Sequence, residues 1–326
     1  MMSVVGIDVS AKSLDVVVRQ QGNNGQSVTY TNSHSGHNQF ITKLKKLKPE
    51  LIVMEATGVY HFAIAERLFD EGLPVSVINP KQSFHFAKTL LQRSKTDAID
   101  AGLIAEYAQR MEPRRWTAPS RARREFREVA RQLNRLTAEL TAAKNRLHAL
   151  KVGAQSDFLI ADEQDAIALH QKRIERIRKY ASQCVSSDEE LNVQMKNLTQ
   201  AKGIGETTAV AVLGELCVLD KSLKAPQVAR YAGLDVRENQ SGSSLARPGR
   251  LSKAGNTYLR AALYMPALSA GKHDEPSRAF IQRLTERGKK PIQAQCALMR
   301  KMLTGIWACM KNNEPYDSSK LFNLNG

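Results

Sequence analysis

Cysteine is scarce and scattered. Cys184, Cys217, Cys296 and Cys309 form no Cys-x-x-Cys pair, which argues against a disulfide framework and a zinc site and fits a reducing cytosol. His34 and His37 are close enough to share a metal, but nothing nearby completes a ligand set. A signal peptide and an apolar run long enough to span a bilayer are both lacking, so a cytoplasmic location is expected. Acidic residues are in deficit: 32 Asp and Glu stand against 48 Lys and Arg, a net charge of +16 and a pI near 9.8. That excess calls for a polyanionic partner, and without membrane signals nucleic acid is the better reading. A chain of 326 residues has room for two or three domains with ample cores.

Three segments and a tail follow from the patterning. Residues 1–115 alternate strands and helices. Strands are expected at 3–8, 14–18, 28–31, 50–54 and 75–78, with helices at 37–47, 59–71 and 98–109. Early antiparallel strands followed by strand-helix-strand units predict a mixed sheet with helices on both faces, the order of a ribonuclease-H-like domain. Residues 116–190 have almost no proline and carry a heptad repeat through Phe126, Val129, Leu133, Leu136, Leu140, Ala143, Leu147 and Leu150. A weaker repeat through Ile167, Ile174, Ile177, Ala181 and Cys184 follows, with His170 on its seam. The pattern predicts a coiled coil: a hairpin of two long helices, a dimerisation rod, or both. Residues 191–312 read as a helical, glycine-punctuated domain, and 313–326 as a loose polar tail.

Four acids stand where strands end or a helix begins: Asp8, Glu55, Asp97 and Asp100. Carboxylates drawn together from distant segments repel one another, so a fold tolerates them mainly when cations neutralise them. Two hard cations held that way can clamp the attacking and leaving oxygens of a phosphate. Each acid alone could merely cap a helix; Asp15, Asp70 and Glu71 fit solvated faces better. The opening Gly6, Ile7, Asp8 also occurs in actin-like ATPases and sugar kinases, but no second glycine-rich phosphate loop follows here.

The third segment holds two candidate sites. Lys202, Gly203 and Gly205 precede an apolar helix in a helix-hairpin-helix-like arrangement, which would turn backbone N–H groups toward a phosphate. Further on, Ser241, Gly242, Ser243 and Ser244 lie among Arg237, Arg247, Arg250 and Lys253. A serine hydroxyl can attack a phosphate if cations stabilise the developing charge, although such a turn is more often a flexible loop. Nine arginines between Arg110 and Arg135 add a basic stretch in which Arg114, Arg115, Arg121, Arg123 and Arg124 are candidate phosphate contacts.

These motifs together resemble the DEDD transposases of the insertion-sequence-110 family over nearly the whole chain. They run from Gly6, Ile7, Asp8 through Glu55 to Tyr60, Val77 to Pro80 and Lys95 to Asp100. They continue with Gly203 to Gly205, Tyr231 to Leu234, Ser241 to Ser244 and Leu251 to Gly255. The resemblance implies a RuvC-like N-terminal domain, a coiled coil, and a transposase domain with a catalytic serine. It implies that Asp8, Glu55, Asp97 and Asp100 bind metal, with a two-ion Mg²⁺ site expected, and that Ser241 is the nucleophile for a DNA 5′ phosphate. Partners so implied are donor and target DNA, a structured guide RNA encoded beside the gene, and further copies of the chain in a dimer or tetramer. The expected setting is the bacterial nucleoid. A RuvC-like junction nuclease using metal-activated water, with Ser241 structural, is the alternative; a non-catalytic basic DNA binder is a third.

A long rod between the acids and Ser241 suggests a composite site, the acids of one copy serving the serine of another. Mixing an Asp8→Ala chain with a Ser241→Ala chain should then restore recombination that neither supports alone. Two inactive chains that stay inactive when mixed would defeat the idea.

Overall fold

The computed structural model describes residues 3–90, 97–153, 156–241 and 245–322, with side chains at all of these except 97, 98, 238–241 and 245–248. The chain forms two compact units, Met1–Ala118 and Pro119–Gly326.

The first unit is built on strands β1 (Ser3–Val9), β2 (Ser13–Gln20), β3 (Asn23–Asn24), β4 (Val28–Thr31), β5 (Leu51–Glu55) and β6 (Val75–Ile78), with helices α1 (His34–Leu47), α2 (Phe62–Asp70), α3 (Pro80–Thr89) and α4 (Asp97–Met111). The sheet order is β3-β2-β1-β5-β6, with β4 also pairing β2. β1 runs antiparallel to β2 but parallel to β5, and β5 parallel to β6, so the expected mixed sheet is present. Side chains alternate across a strand, and both faces are covered. Val5, Ile7, Val9, Ile52 and Met54 pack under Phe40, Leu44, Ile64 and Leu68 of α1 and α2. Val4, Leu51, Val53 and Ile78 pack against Ile104, Tyr107 and Ala108 of α4. A strand buried on both sides reads as a continuous apolar run, as β1 and β5 do.

Gly6 fixes the depth of α4. A Cβ there would lie 2.2 Å from the Ala101 carbonyl oxygen and 2.3 Å from the Ala105 nitrogen, so the helix backbone rests directly on the strand. Two elements differ from expectation. Residues 23–24, expected as loop, pair with Arg19 and Gln20. Helix α3 is an addition, yet its start is well signalled: Asn79 accepts from the Lys81 N–H at 2.9 Å, Gln82 accepts from the Asn79 N–H at 2.9 Å, and Pro80 opens the helix. His37 is buried, and its Nε2 lies 2.7 Å from Asn32 Oδ1. Burial, then Arg67 and His34, lower its pKa; it belongs to the core rather than to a metal site.

The second unit contains α5 (Arg121–Val152), α6 (Asp157–Ser186), α7 (Glu189–Thr199), α8 (Glu206–Leu216), α9 (Ala225–Tyr231), the ribbon β7 (Val236–Ser241) and β8 (Leu245–Leu251), α10 (Thr257–His273), α11 (Glu275–Glu286), α12 (Pro291–Asn312) and a 3₁₀ turn at Ser319–Leu321. Helices α5 and α6 are antiparallel: Arg146 meets Glu163, Glu139 meets His170 and Glu125 meets Tyr180, at growing distance from the turn. Helix α5 alone is about 48 Å long at ~1.5 Å per residue. The hairpin is not a separate body. Phe126, Ala130, Leu133 and Leu136 share one core with α7, α8, α10 and α12, because Gly214 of α8 lets the Ala130 side chain approach closely.

The tail also differs from the loose segment expected. Ser318 Oγ donates to Asp274 Oδ1 at 2.9 Å, Phe322 is buried against Phe280 with ring centroids 4.8 Å apart, and Leu321 fits over Gly305. A few side chains in an otherwise polar segment dock its described part, Tyr316 packing on the same core.

Gly6→Ala should lower the urea midpoint of the first unit, followed by Trp116 fluorescence in a Trp307→Phe background, by an amount equivalent to about 1–3 kcal/mol. An unchanged midpoint would mean that α4 does not rest on β1 as closely as this.

Candidate active site and nucleic-acid interface

The alternation that buries Val4 and Val53 against α4 places Asp8 and Glu55 on that same face. Ile7 pairs with Met54 in the parallel register, so one step further Asp8 and Glu55 stand side by side at the carboxyl ends of β1 and β5. Helix α4 runs back along the strands. Ala101 and Ala105 sit at Gly6, whereas Ile104 and Ala108 lie toward Val4 and Leu51. Its first turn, with Asp97 and Asp100, therefore begins at the end of the sheet that carries Asp8 and Glu55. Open α/β sheets bind ligands at this end.

Asp15 belongs to this face too, which composition alone did not reveal. It pairs directly with Asp8 across β1 and β2, and like charges opposite one another destabilise a sheet. Thr29 Oγ1 donates to Asp15 Oδ1 at 2.5 Å, so hydroxyls partly satisfy it. Among the described residues, no three His, Cys, Asp or Glu side chains converge as a metal-ligand set; the side chain of Asp97 lies outside them. The candidate donors on the elements that meet at this end, Asp8, Glu55, Asp97 and Asp100, offer carboxylate oxygens, the ligand type that suits a hard divalent cation.

In the second unit, Ser241 is the last residue of β7, paired in backbone register with Leu245. Gly242, Ser243 and Ser244 lie outside the described residues, as do the side chains of Ser241 and Arg247. The segment expected as a flexible loop is thus flanked by two strands. The foot of this ribbon is tied down by two of the sequence motifs. Ser252 N donates to Asp235 O, Lys253 N to Gly233 O and Asn256 N to Tyr231 O. Gly255 is required there, since a Cβ would lie 2.4 Å from the Tyr231 oxygen.

Beneath it lies Glu215, 1% exposed. Its carboxylate accepts from Arg131 Nε at 2.6 Å and Nη2 at 3.0 Å, and from Asn256 Nδ2 at 2.5 Å. Asn256 also donates to the Tyr231 hydroxyl at 2.9 Å and caps α10 by accepting from Leu259 N. Burial, reinforced by Glu215, pushes the Tyr231 pKa up, so the phenol stays protonated.

A family model described as a transposase matches residues 5–151, and a second, for the IS116/IS110/IS902 family of transposases, matches residues 195–282. The chain belongs to the IS110 family of transposases. Pilin gene-inverting proteins of Moraxella lacunata and Moraxella bovis are each 28% identical over 318 residues, covering 96% of this chain and 97% of theirs. A probable family 20 transposase of Pseudomonas aeruginosa is 26% identical over 306 residues, covering 83% of this chain and 87% of its own. Among solved structures, Thermus thermophilus RuvC in complex with a Holliday junction substrate gives a TM-score of 0.27 at 17% identity, covering 34% of this chain and 96% of that one. Membership makes DNA cleavage and rejoining the activity class of this transposase.

The basic residues of the transposase divide into internal counter-ions and exposed groups. Arg123 is an internal counter-ion: it reaches Asp188 at 3.1 Å and Glu190 at 2.7 Å, which removes it from the expected phosphate contacts. Arg131 is held by Glu215, and Arg110 by Glu106. Arg124 is half-buried, whereas Arg114, Arg115, Arg121, Arg250, Lys253 and Lys202 are exposed. Arg237 and Arg250 stand directly opposite each other in the ribbon, an arrangement that favours an anionic partner. Gly203 has φ +90° and packs on α10, where a Cβ would lie 2.8 Å from the Pro266 oxygen. Packing alone thus explains its smallness; Gly205, at the N-cap of α8, faces open space. No described helix is long and apolar enough to cross a membrane.

Burial pushes the Asp188 and Glu190 carboxyls upward, but hydrogen bonds and charge from Arg123, with Lys221 at Glu190, outweigh it and leave both below their ordinary values of 3.8 and 4.5. Depressed folded-state values stabilise above the unfolded ones, and that contribution is lost as pH falls through the folded ones. Arg123→Gln should therefore lower the urea midpoint at pH 7, with the gap to wild type closing below about pH 4. A gap that persists at low pH would show that the ion pair is not its source.

Proposed function

We propose that this transposase excises and inserts its own insertion sequence by Mg²⁺-dependent, serine-mediated strand exchange. In this reading Asp8, Glu55, Asp97 and Asp100 hold the metal, and Ser241 is the nucleophile. The observation that carries it is the register that sets Asp8 beside Glu55 at one end of the sheet, under the first turn of α4. Bound Mg²⁺ would supply charge neutralisation at the scissile phosphate. The chain supplies the rest. The Ser241 oxygen forms an ester with the 5′ phosphate while the 3′ oxygen departs, and a DNA 3′ hydroxyl then displaces the serine and reseals the strand. Arg237 and Arg250, paired toward the foot of the ribbon whose first strand ends at Ser241, hold the backbone of the DNA in register.

Further copies of the chain fit the exposed apolar tip of the hairpin, where Val152 is 74% and Phe158 76% exposed. In that role α5 and α6 act as a coiled coil between protomers. The turn before α8 serves as a helix-hairpin-helix contact through Lys202 and the N-terminus that follows Gly205. A structured RNA encoded beside the gene completes the assembly; RNase-sensitive RNA copurifying with the protein would support that partner.

A denaturing gel of end-labelled donor DNA tests the chemistry. Wild type should yield DNA covalently linked to protein, Ser241→Ala none, and Asp8→Asn should slow cleavage by roughly 1,000-fold or more. Free cut ends from the Ser241→Ala chain at the wild-type rate would instead identify a hydrolytic junction nuclease.

A further inference from the structure

A second basic site lies on the C-terminal elements of the second unit, away in sequence from Ser241 and the ribbon. A cavity of about 470 Å³ opens between α11, α12 and the docked tail, within the ~300–1,000 Å³ range of small-ligand pockets. Its floor is apolar, formed by Phe280 and Leu284, and its rim carries Arg283, Arg287, Lys301 and Lys320. No carboxylate is among its lining residues. Lys320 makes one long ion pair, 3.7 Å to Glu314; Arg283, Arg287 and Lys301 make none among the described residues. The Arg283 guanidinium instead sits 5.8 Å above the Phe280 ring.

The cavity is a built feature. Its third wall is the tail, held by the Ser318–Asp274 hydrogen bond, by Phe322 against Phe280, and by Leu321 packed closely over Gly305. Four cations around one concavity repel each other unless an anion joins them. The apolar lining of Phe280 and Leu284 adds a second requirement, since a bare phosphate offers it no apolar face to pack against. A ligand with a flat apolar face and several negative charges satisfies both.

We propose that this cavity binds a single-stranded stretch of nucleic acid, with one unstacked base on Phe280 and Leu284 and the flanking phosphates on Arg283, Arg287, Lys301 and Lys320. A continuous duplex is disfavoured because its bases are stacked inside and it offers the cavity only phosphates. The site is independent of the acids and of Ser241.

Fluorescence anisotropy in EDTA, on a full-length chain carrying Asp8→Ala, tests this apart from any catalysis. The probes are fluorescein-labelled 12-mers of DNA and of RNA and a blunt DNA duplex, measured from 50 to 200 mM KCl. Arg283→Gln/Arg287→Gln should weaken single-strand binding by about tenfold or more and reduce the salt slope by roughly 0.7 for each phosphate no longer neutralised. Phe280→Leu should weaken it by about tenfold with the slope unchanged, and Arg278→Gln, on α11 but outside the cavity, should do neither. Trp307 fluorescence confirms that each variant remains folded. Stronger weakening with the DNA or the RNA strand identifies which nucleic acid uses the site. Equal weakening for duplex and single strand, or a folded Phe280→Leu chain that binds single strands like wild type, would overturn the proposal.

Discussion

The buried carboxylate of Glu215 is the constraint on which the second unit depends. A carboxylate removed from water is costly unless charge and hydrogen bonds replace the solvent. Here Arg131 and Asn256 do so. Because the donors come from α5 and from the cap of α10, satisfying one ion fixes three helices against each other. Asn256 then carries the constraint to Tyr231, and the backbone ladder from Tyr231 to Asp235 carries it to the foot of the β7–β8 ribbon. A merely apolar contact at this point could slide; a bidentate ion pair with a third donor cannot move without leaving a buried charge unpaired. The ribbon that presents Ser241 is therefore anchored on the part of the unit least able to shift.

In the first unit the corresponding constraint is steric. Gly6 lets the backbone of α4 lie on β1, and the two alanines facing it are the smallest side chains a helix can offer. Close approach matters because it sets how near the first turn of α4 comes to the ends of β1 and β5. The same alternation that sends Val5 and Ile7 to one core sends Gly6 and Asp8 to the other face. A single period-two pattern thus specifies both the packing of the sheet and the placement of the acids.

Much of this is legible in the sequence. Asp8 and Glu55 can be assigned to strand ends because apolar runs precede them, and α5 and α6 because a heptad pattern needs no tertiary information. Asp15 is not legible: its role in the local charge arises from cross-strand pairing with Asp8, which no window of sequence contains. The ribbon escapes for a related reason. Its strands, Val236–Ser241 and Leu245–Leu251, are polar and arginine-rich, so they lack the apolar alternation that signals a half-buried strand. The tail reads as loose because its composition is polar, whereas its docking rests on a few side chains, Tyr316, Ser318, Leu321 and Phe322.

The arginines show why counting charge is not the same as locating a binding face. Nine lie close together in sequence, yet Arg123 and Arg131 serve as internal counter-ions and cannot meet a phosphate without abandoning their carboxylates. An arginine suits that role because its fork matches a carboxylate with two parallel bonds and is only weakly hydrated. The charge that faces solvent lies at Arg114, Arg115 and Arg121 and on the ribbon, where Arg237 opposes Arg250. Two facing arginines contribute nothing to the stability of an isolated ribbon. An anion lying across the pair would relieve their mutual repulsion.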